Sequence, residues 1–191
     1  MSGIADTIIG MTKTRYYTAT SLDGYIADQD NSLTWLFEVE NGGETDADFG
    51  DFFSRIGAMC MGATTYEWIR ANESDETWKS AYGDTPTWVF THRDLPAVPG
   101  ANLRFVSGDV EPVYREMVAA AGDKDIWVAG GGGLAGDFAE AGLLDELIVS
   151  VAPVTLGAGA PLLPRRILSD RLRLTKIGQM GQFAQLTYQL G

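Results

Sequence analysis

The sequence predicts an α/β protein: a mixed, mostly parallel sheet with helices on both faces and an antiparallel edge. Three observations carry that expectation. From residue 58 to residue 152, short apolar runs rich in β-formers alternate with stretches whose apolar residues recur at helical spacing. Alternation of that kind is the signature of parallel strands joined by crossover helices. Two of the strands, 58–61 and 126–129, run through glycine directly into a helix. The C-terminus differs, because 172–177 and 183–190 alternate apolar and polar residues about Gly178 and Gly181, as a hairpin does.

Length and charge limit what this sheet can belong to. A chain of 191 residues suits one domain, large enough to bury a core without disulfides or metals. Residues 1–12 read as a mobile tail and 13–191 as the domain. The formal net charge of -12 argues against nucleic acid or anionic membrane as partners, since both require basic patches. Cys60 is the single cysteine and His92 the single histidine, so an internal disulfide is excluded and no zinc cluster is expected. No run reaches the roughly 18 apolar residues of a membrane span. No basic region precedes the apolar patch at 8–11. A soluble cytoplasmic protein is expected.

Taken in order, 14–19 (TRYYTA) is a strand, Ser21-Leu22-Asp23-Gly24 a turn and 25–27 a second extended piece. Residues 28–31 form a polar turn, and 33–39 is apolar and aromatic without a clean period. Thr45 or Asp46 caps a helix that reaches about Arg55, with Phe49, Phe52, Phe53 and Ile56 on its inner face, and Gly57 ends it. After strand 58–61 and the helix that Gly62 opens, 72–85 reads as irregular connection. Pro86 introduces strand 87–90; 103–106 is another strand, and 110–121 a helix with Val113, Met117 and Ala120 inward. Residues 146–152 (ELIVSVA) are a continuous apolar strand, followed by a loop rich in proline and glycine.

The centre of the chain is 125–146, DIWVAGGGGLAGDFAEAGLLDE: strand, four glycines, then Leu134, Phe138 and Ala141 at helical spacing. Glycine lets the backbone approach a ligand closely, and the free N–H groups of a helix start favour an anion. A phosphate or pyrophosphate is the expected ligand; the plainer role is a tight turn, which one or two glycines would satisfy. A G-x-G-x-x-G match at Gly131, Gly133 and Gly136 is not the Rossmann fingerprint, which opens a βαβ unit and has an acidic residue about 20 positions on.

Five segments then stand in a telling order: TATSLDGYIA (18–27), MGATTYE (61–67), VFTHR (89–93), VAGGGG (128–133) and APVTLGAGAPLL (152–163). Together they resemble the dihydrofolate reductase-like superfamily, in the branch related to the C-terminal reductase domain of riboflavin-biosynthesis proteins. The resemblance covers nearly the whole chain from Thr14. It implies a central sheet of about eight strands with NADPH across the carboxyl ends of its strands. Carried over, Ala19, Ile26 and Ala27 line the nicotinamide side. Gly62, Thr64 and Thr65 hold the pyrophosphate from one side, and Gly130, Gly131, Gly132, Gly133 and Leu134 from the other. Thr91, His92 and Arg93 meet the adenosine ribose and its 2′-phosphate. The family's Met-Gly-Arg phrase is broken by Ala63, so choice of NADPH over NADH rests on Arg93 with help from His92.

The resemblance implies a reductase of a small heterocycle, pteridine-like or pyrimidine-like. In folate reductases a carboxylate on the first long helix binds the pterin. Asp46 and Asp48 lie nearest that role by spacing, with Asp51 one turn further; carboxylates that merely complement the helix dipole are the plain alternative. Asp23 is a second candidate, although its turn role suffices. Residues 28–46 lack the tryptophan phrase of true folate reductases, since Trp35 sits in SLTWLFEVE. Missing histidines and cysteines exclude a deaminase domain. Trp35, Phe37, Phe49 and Phe52 form either an aromatic substrate wall or core. A non-catalytic nucleotide-binding protein, a true dihydrofolate reductase, or a flavin in place of nicotinamide are the competing readings. The resemblance also implies a homodimer, for which the apolar C-terminal hairpin and the long Pro/Gly loop offer a twofold interface.

Overall fold

The computed structural model describes residues 12–40 and 45–191, with the side chains of 45–48 outside the description. The expected tail therefore lies, but for Thr12, outside the described residues. Along the chain come β1 (Thr14–Thr20), β2 (Tyr25–Ala27), α1 (Thr34–Phe37), α2 (Thr45–Ser54), β3 (Ile56–Gly62), α3 (Ala63–Asn72) and α4 (Asp75–Tyr82). They are followed by β4 (Thr87–Phe90), β5 (Leu103–Val106), α5 (Val110–Ala121), β6 (Asp125–Gly130), α6 (Gly132–Glu140), β7 (Glu146–Val151), β8 (Ala160–Pro161), β9 (Leu172–Met180) and β10 (Phe183–Leu190).

Eight strands form one sheet in the order β5-β4-β3-β6-β1-β7-β10-β9, while β2 and β8 pair separately. The six strands from β5 to β7 run parallel. The β9–β10 hairpin closes the sheet antiparallel to β7, as the alternating C-terminal pattern required. Successive side chains of a strand point to opposite faces, and β3 shows the result. Ala58 and Cys60 join one buried cluster with Tyr16, Val128, Met117 of α5 and Phe138 of α6. Met59 and Met61 join the other, with Phe52 of α2, Tyr66 and Ile69 of α3 and Trp78 of α4. Burying such side chains on both faces is worth about 1.5–3 kcal/mol each relative to exposure, which is what makes a near-continuous apolar strand stable only at the centre of a sheet.

Several boundaries differ from the sequence expectation, each for a local reason. Gly57 ends no helix; α2 stops at Ser54 and Gly57 lies inside β3. A Cβ there would stand 2.5 Å from the Ala121 carbonyl oxygen, so the glycine admits the end of α5. The supposed irregular connection contains α4, whose Ser74 Oγ accepts the Thr77 N–H at 3.1 Å while Asp75 and Glu76 occupy the first turn. Ala121, not Ala120, faces inward. Residues 33–39 give the single turn α1, and the Pro/Gly loop contributes β8. Among the described residues no helix is long and apolar enough to cross a membrane.

Candidate active site

Because β1, β3 and β6 are parallel, their carboxyl ends lie together, and the two strand-glycine-helix passages meet there. Met61 is paired with Gly130 across β3 and β6, and a Cβ built on Gly62 would lie 3.8 Å from the Gly131 nitrogen. Gly62 caps α3 and Gly131 caps α6, neither with a side-chain hydrogen bond. The first-turn amides of both helices are thus left to water or a ligand. Between them opens a cleft of about 510 Å³. Its walls are Gly62, Ala63, Thr64, Thr65 and Trp68 on the α3 side, and Ala129 with Gly130 to Leu134 on the α6 side. Thr18, Ile26, Ala27, Asn31, Leu33, Ala160, Pro161 and Pro164 complete it.

The four glycines have distinct reasons to be there. Gly130 adopts φ +139, a conformation that L side chains rarely take; the Gly130–Gly131 peptide is cis. A Cβ on Gly132 would fall 2.2 Å from the Pro161 oxygen and 2.4 Å from the Leu162 oxygen, so this glycine lets α6 press against the wall. Gly133 has open space about it.

That wall is tied down from the other side. The Asp23 carboxylate accepts the Ser21 hydroxyl at 2.6 Å, the Leu156 N–H at 3.0 Å and the Gly157 N–H at 2.7 Å. These bonds, the Ser21 hydroxyl foremost, lower its pKa to about 2. Leu162 N–H donates to the Gly24 oxygen at 2.9 Å, and the Tyr16 hydroxyl to the Leu162 oxygen at 3.2 Å. Asp23 lines neither the cleft nor the cavity beside it; it is a fastener of the wall.

The neighbouring cavity, of about 440 Å³, is lined by Tyr17, Thr18, Ala19, Leu36, Phe37, Val39, Phe49, Ser150, Met180 and Phe183. It shares Thr18 with the cleft. Its character is apolar, with one buried exception: the Ser150 hydroxyl has no hydrogen-bond partner among the described residues. Phe37 is 69% exposed, yet its ring stacks on Trp68 at 6.1 Å and so links the rims of the two spaces. A third, polar cavity holds Asp51 and the Arg15 ion pairs to Asp125 (2.9 Å) and Glu146 (2.8 Å). It shares Tyr17 and no other lining residue with the apolar one.

The cleft therefore collects Ile26, Ala27, Gly62, Thr64, Thr65 and Gly130 through Leu134, while Ala19 lies in the apolar cavity. Thr91, His92 and Arg93 follow β4 and line neither space. Arg93 instead grips Glu67 with both guanidinium branches, at 2.9 and 2.7 Å. Asp46 and Asp48 stand on α2, but their side chains lie outside the described ones. Asp51 belongs to the third cavity. Phe37 and Phe49 line the apolar cavity; Phe52 is core, 4.7 Å from the Tyr17 ring, and Trp35 lines a separate surface hollow. Sequence reasoning missed Thr18, Trp68 and Ser150. Of these Ser150 had a signal, as the one hydroxyl within the apolar run LIVSVA.

The fold is that of the dihydrofolate reductases: an Enterococcus faecalis dihydrofolate reductase complexed with NADP(H) and RAB-propyl superposes with a TM-score of 0.60 at 14% identity, over 94% of this chain and 96% of that one. A provisionally assigned riboflavin biosynthesis protein from Shewanella sp. PV-4 superposes with a TM-score of 0.79 at 26% identity, over 94% and 99% of the two chains. Within that fold, the model of the RibD C-terminal domain matches residues 70–186, and the chain belongs to this family. It is also 35% identical over 176 residues to the uncharacterized protein YwjB of Bacillus subtilis, covering 92% of this chain and 97% of the relative. Family and fold together support a reductase-type function.

Proposed function

We propose that the chain is a dinucleotide-dependent reductase that uses NADPH to reduce a small planar heterocycle of pteridine or pyrimidine type. One observation carries this reading: a glycine-walled cleft, served by two helix starts, lies against an apolar cavity of about 440 Å³, with Thr18 lining both. The residues fit a dinucleotide. Gly62 and Gly133 put no side chain between the helix amides and the cleft, and Thr64 and Thr65 also line it. Two helix N-termini, each equivalent to roughly half a positive charge, offset a pyrophosphate's charge in a protein of net charge -12. When bound, the reduced nicotinamide supplies the hydride.

The chain's own residues orient and shield. Leu36, Phe37, Phe49, Met180 and Phe183 exclude water from a flat ring, and the unpartnered Ser150 hydroxyl fixes its polar edge, since a buried hydroxyl left unpaired costs about 1–3 kcal/mol. Asp46 and Asp48, on the helix turn before Phe49, are the proposed proton source. The implied homodimer is tested by sedimentation. For the activity, the experiment is quenching of tryptophan fluorescence by NADPH, then NADPH consumption over a panel including dihydrofolate and ribosylaminouracil compounds. Quenching with turnover is expected. Quenching without turnover on any heterocycle would favour a non-catalytic nucleotide-binding protein, and no quenching would remove the proposal.

A further inference from the structure

The cation expected to recognise the adenosine 2′-phosphate is already engaged. With the pyrophosphate at the Gly62–Gly131 junction and the nicotinamide toward Thr18 on β1, the strand order sends the adenosine past β3 toward β4. Arg93 stands just after β4, and its two guanidinium branches close on both oxygens of Glu67. Glu67 is four residues beyond Ala63, one turn into α3. Among the described residues, no Lys, Arg or His lines the cleft itself. A 2′-phosphate approaching this end would meet a carboxylate and compete with it for the Arg93 fork, whose geometry matches a phosphate. The 2′-hydroxyl of NADH carries no charge and meets no such competition.

We propose, resting on the reductase reading above, that Glu67 sets the dinucleotide preference by occupying Arg93, so that NADH is bound about as well as NADPH. The pair is half-exposed, at 55% and 43%, and exposed ion pairs are weak. Glu67 therefore lowers the preference for the 2′-phosphate without abolishing its binding.

The test measures dissociation constants of NADPH and NADH by protein fluorescence for the unaltered chain, Glu67→Gln, Arg93→Ala and the double variant. The three variants are surface changes that leave the core intact. The expected result is that the unaltered chain binds the two dinucleotides within about tenfold of each other. Glu67→Gln then tightens NADPH about fivefold, an effect of the size of one exposed ion pair, and leaves NADH unchanged. In the double variant that gain disappears, which identifies Arg93 as the group released. A preference for NADPH beyond about a hundredfold that Arg93→Ala destroys would overturn the proposal, as would equal changes for both dinucleotides in Glu67→Gln. If neither dinucleotide binds the unaltered chain, the reductase reading itself falls, an outcome distinct from the others.

Discussion

The two strand-glycine-helix passages look alike in sequence but are built for different loads. At β3–α3 a single glycine has ordinary room for a Cβ, and its helix buries only Tyr66 and Ile69. At β6–α6 the helix buries Gly132, Leu134, Ala135, Gly136, Phe138 and Ala139, and two of its glycines, Gly132 and Gly136, are pressed by neighbours. Arg165 packs over Gly136, where a Cβ would come within 2.8 Å of it, and pairs with Asp137 and Glu140. A run of glycines is thus not one signal. Gly130 answers to backbone conformation and Gly132 to the wall behind it, whereas Gly62 and Gly133 are the positions where the absence of a side chain serves the cleft alone.

Substitutions should separate these causes. Gly132→Ala has the largest expected effect, because its Cβ meets backbone rather than a yielding side chain. Overpacking of this kind costs about 1–3 kcal/mol, so a melting point lower by several degrees and lost dinucleotide quenching are expected together. Gly133→Ala should divide the two readouts: stability held or raised by up to about 1 kcal/mol, since alanine is the better helix former, with dinucleotide binding weakened about tenfold. A parallel loss of stability would mean that the first glycines of α6 share one structural role. Ser150→Ala should raise KM for the substrate several-fold with the melting point held or raised, as removing a buried unpaired hydroxyl costs no hydrogen bond and relieves its desolvation.

The smallest effect is expected at Asp23, on the fastened wall. Its folded pKa lies below the ordinary carboxylate value, so its hold on Leu156 and Gly157 is complete above pH about 4 and fades as pH falls toward about 2. Amide exchange at 156–157 should quicken over that window, and Asp23→Asn should show the faster exchange already at neutral pH. Unchanged exchange in the variant would show that the Leu162–Gly24 bond and the β2–β8 pair hold the wall unaided.

Much of this was legible in the sequence where local chemistry and tertiary packing agree. The buried strands, the helix at 110–121 and the C-terminal hairpin follow from period and glycine placement, and the glycine junctions from the same signal. Residues 72–85 misled because Ser74 and its acidic first turn are a capping signature hidden in a polar stretch, with buried Trp78 and half-buried Tyr82 one turn apart supplying the inner side. Gly57 read as a stop because nothing near it in sequence announces Ala121, which packs there from 64 positions away. For the site, Arg93 was recognisable as a cation at a strand end, but its pairing with Glu67 depends on where α3 lies beside β4, and no spacing encodes that. Thr18 was hidden for the same reason, since its place between two cavities is a property of the sheet order.

Thr18 is in effect a party wall one residue thick. Any change in its bulk is felt by tenants on both sides, so affinity for the two bound molecules cannot be adjusted independently at that point. A lineage acquiring new substrates on this scaffold is better served by altering Leu36, Met180 or Phe183, which border only the apolar room, and leaving the partition as it is.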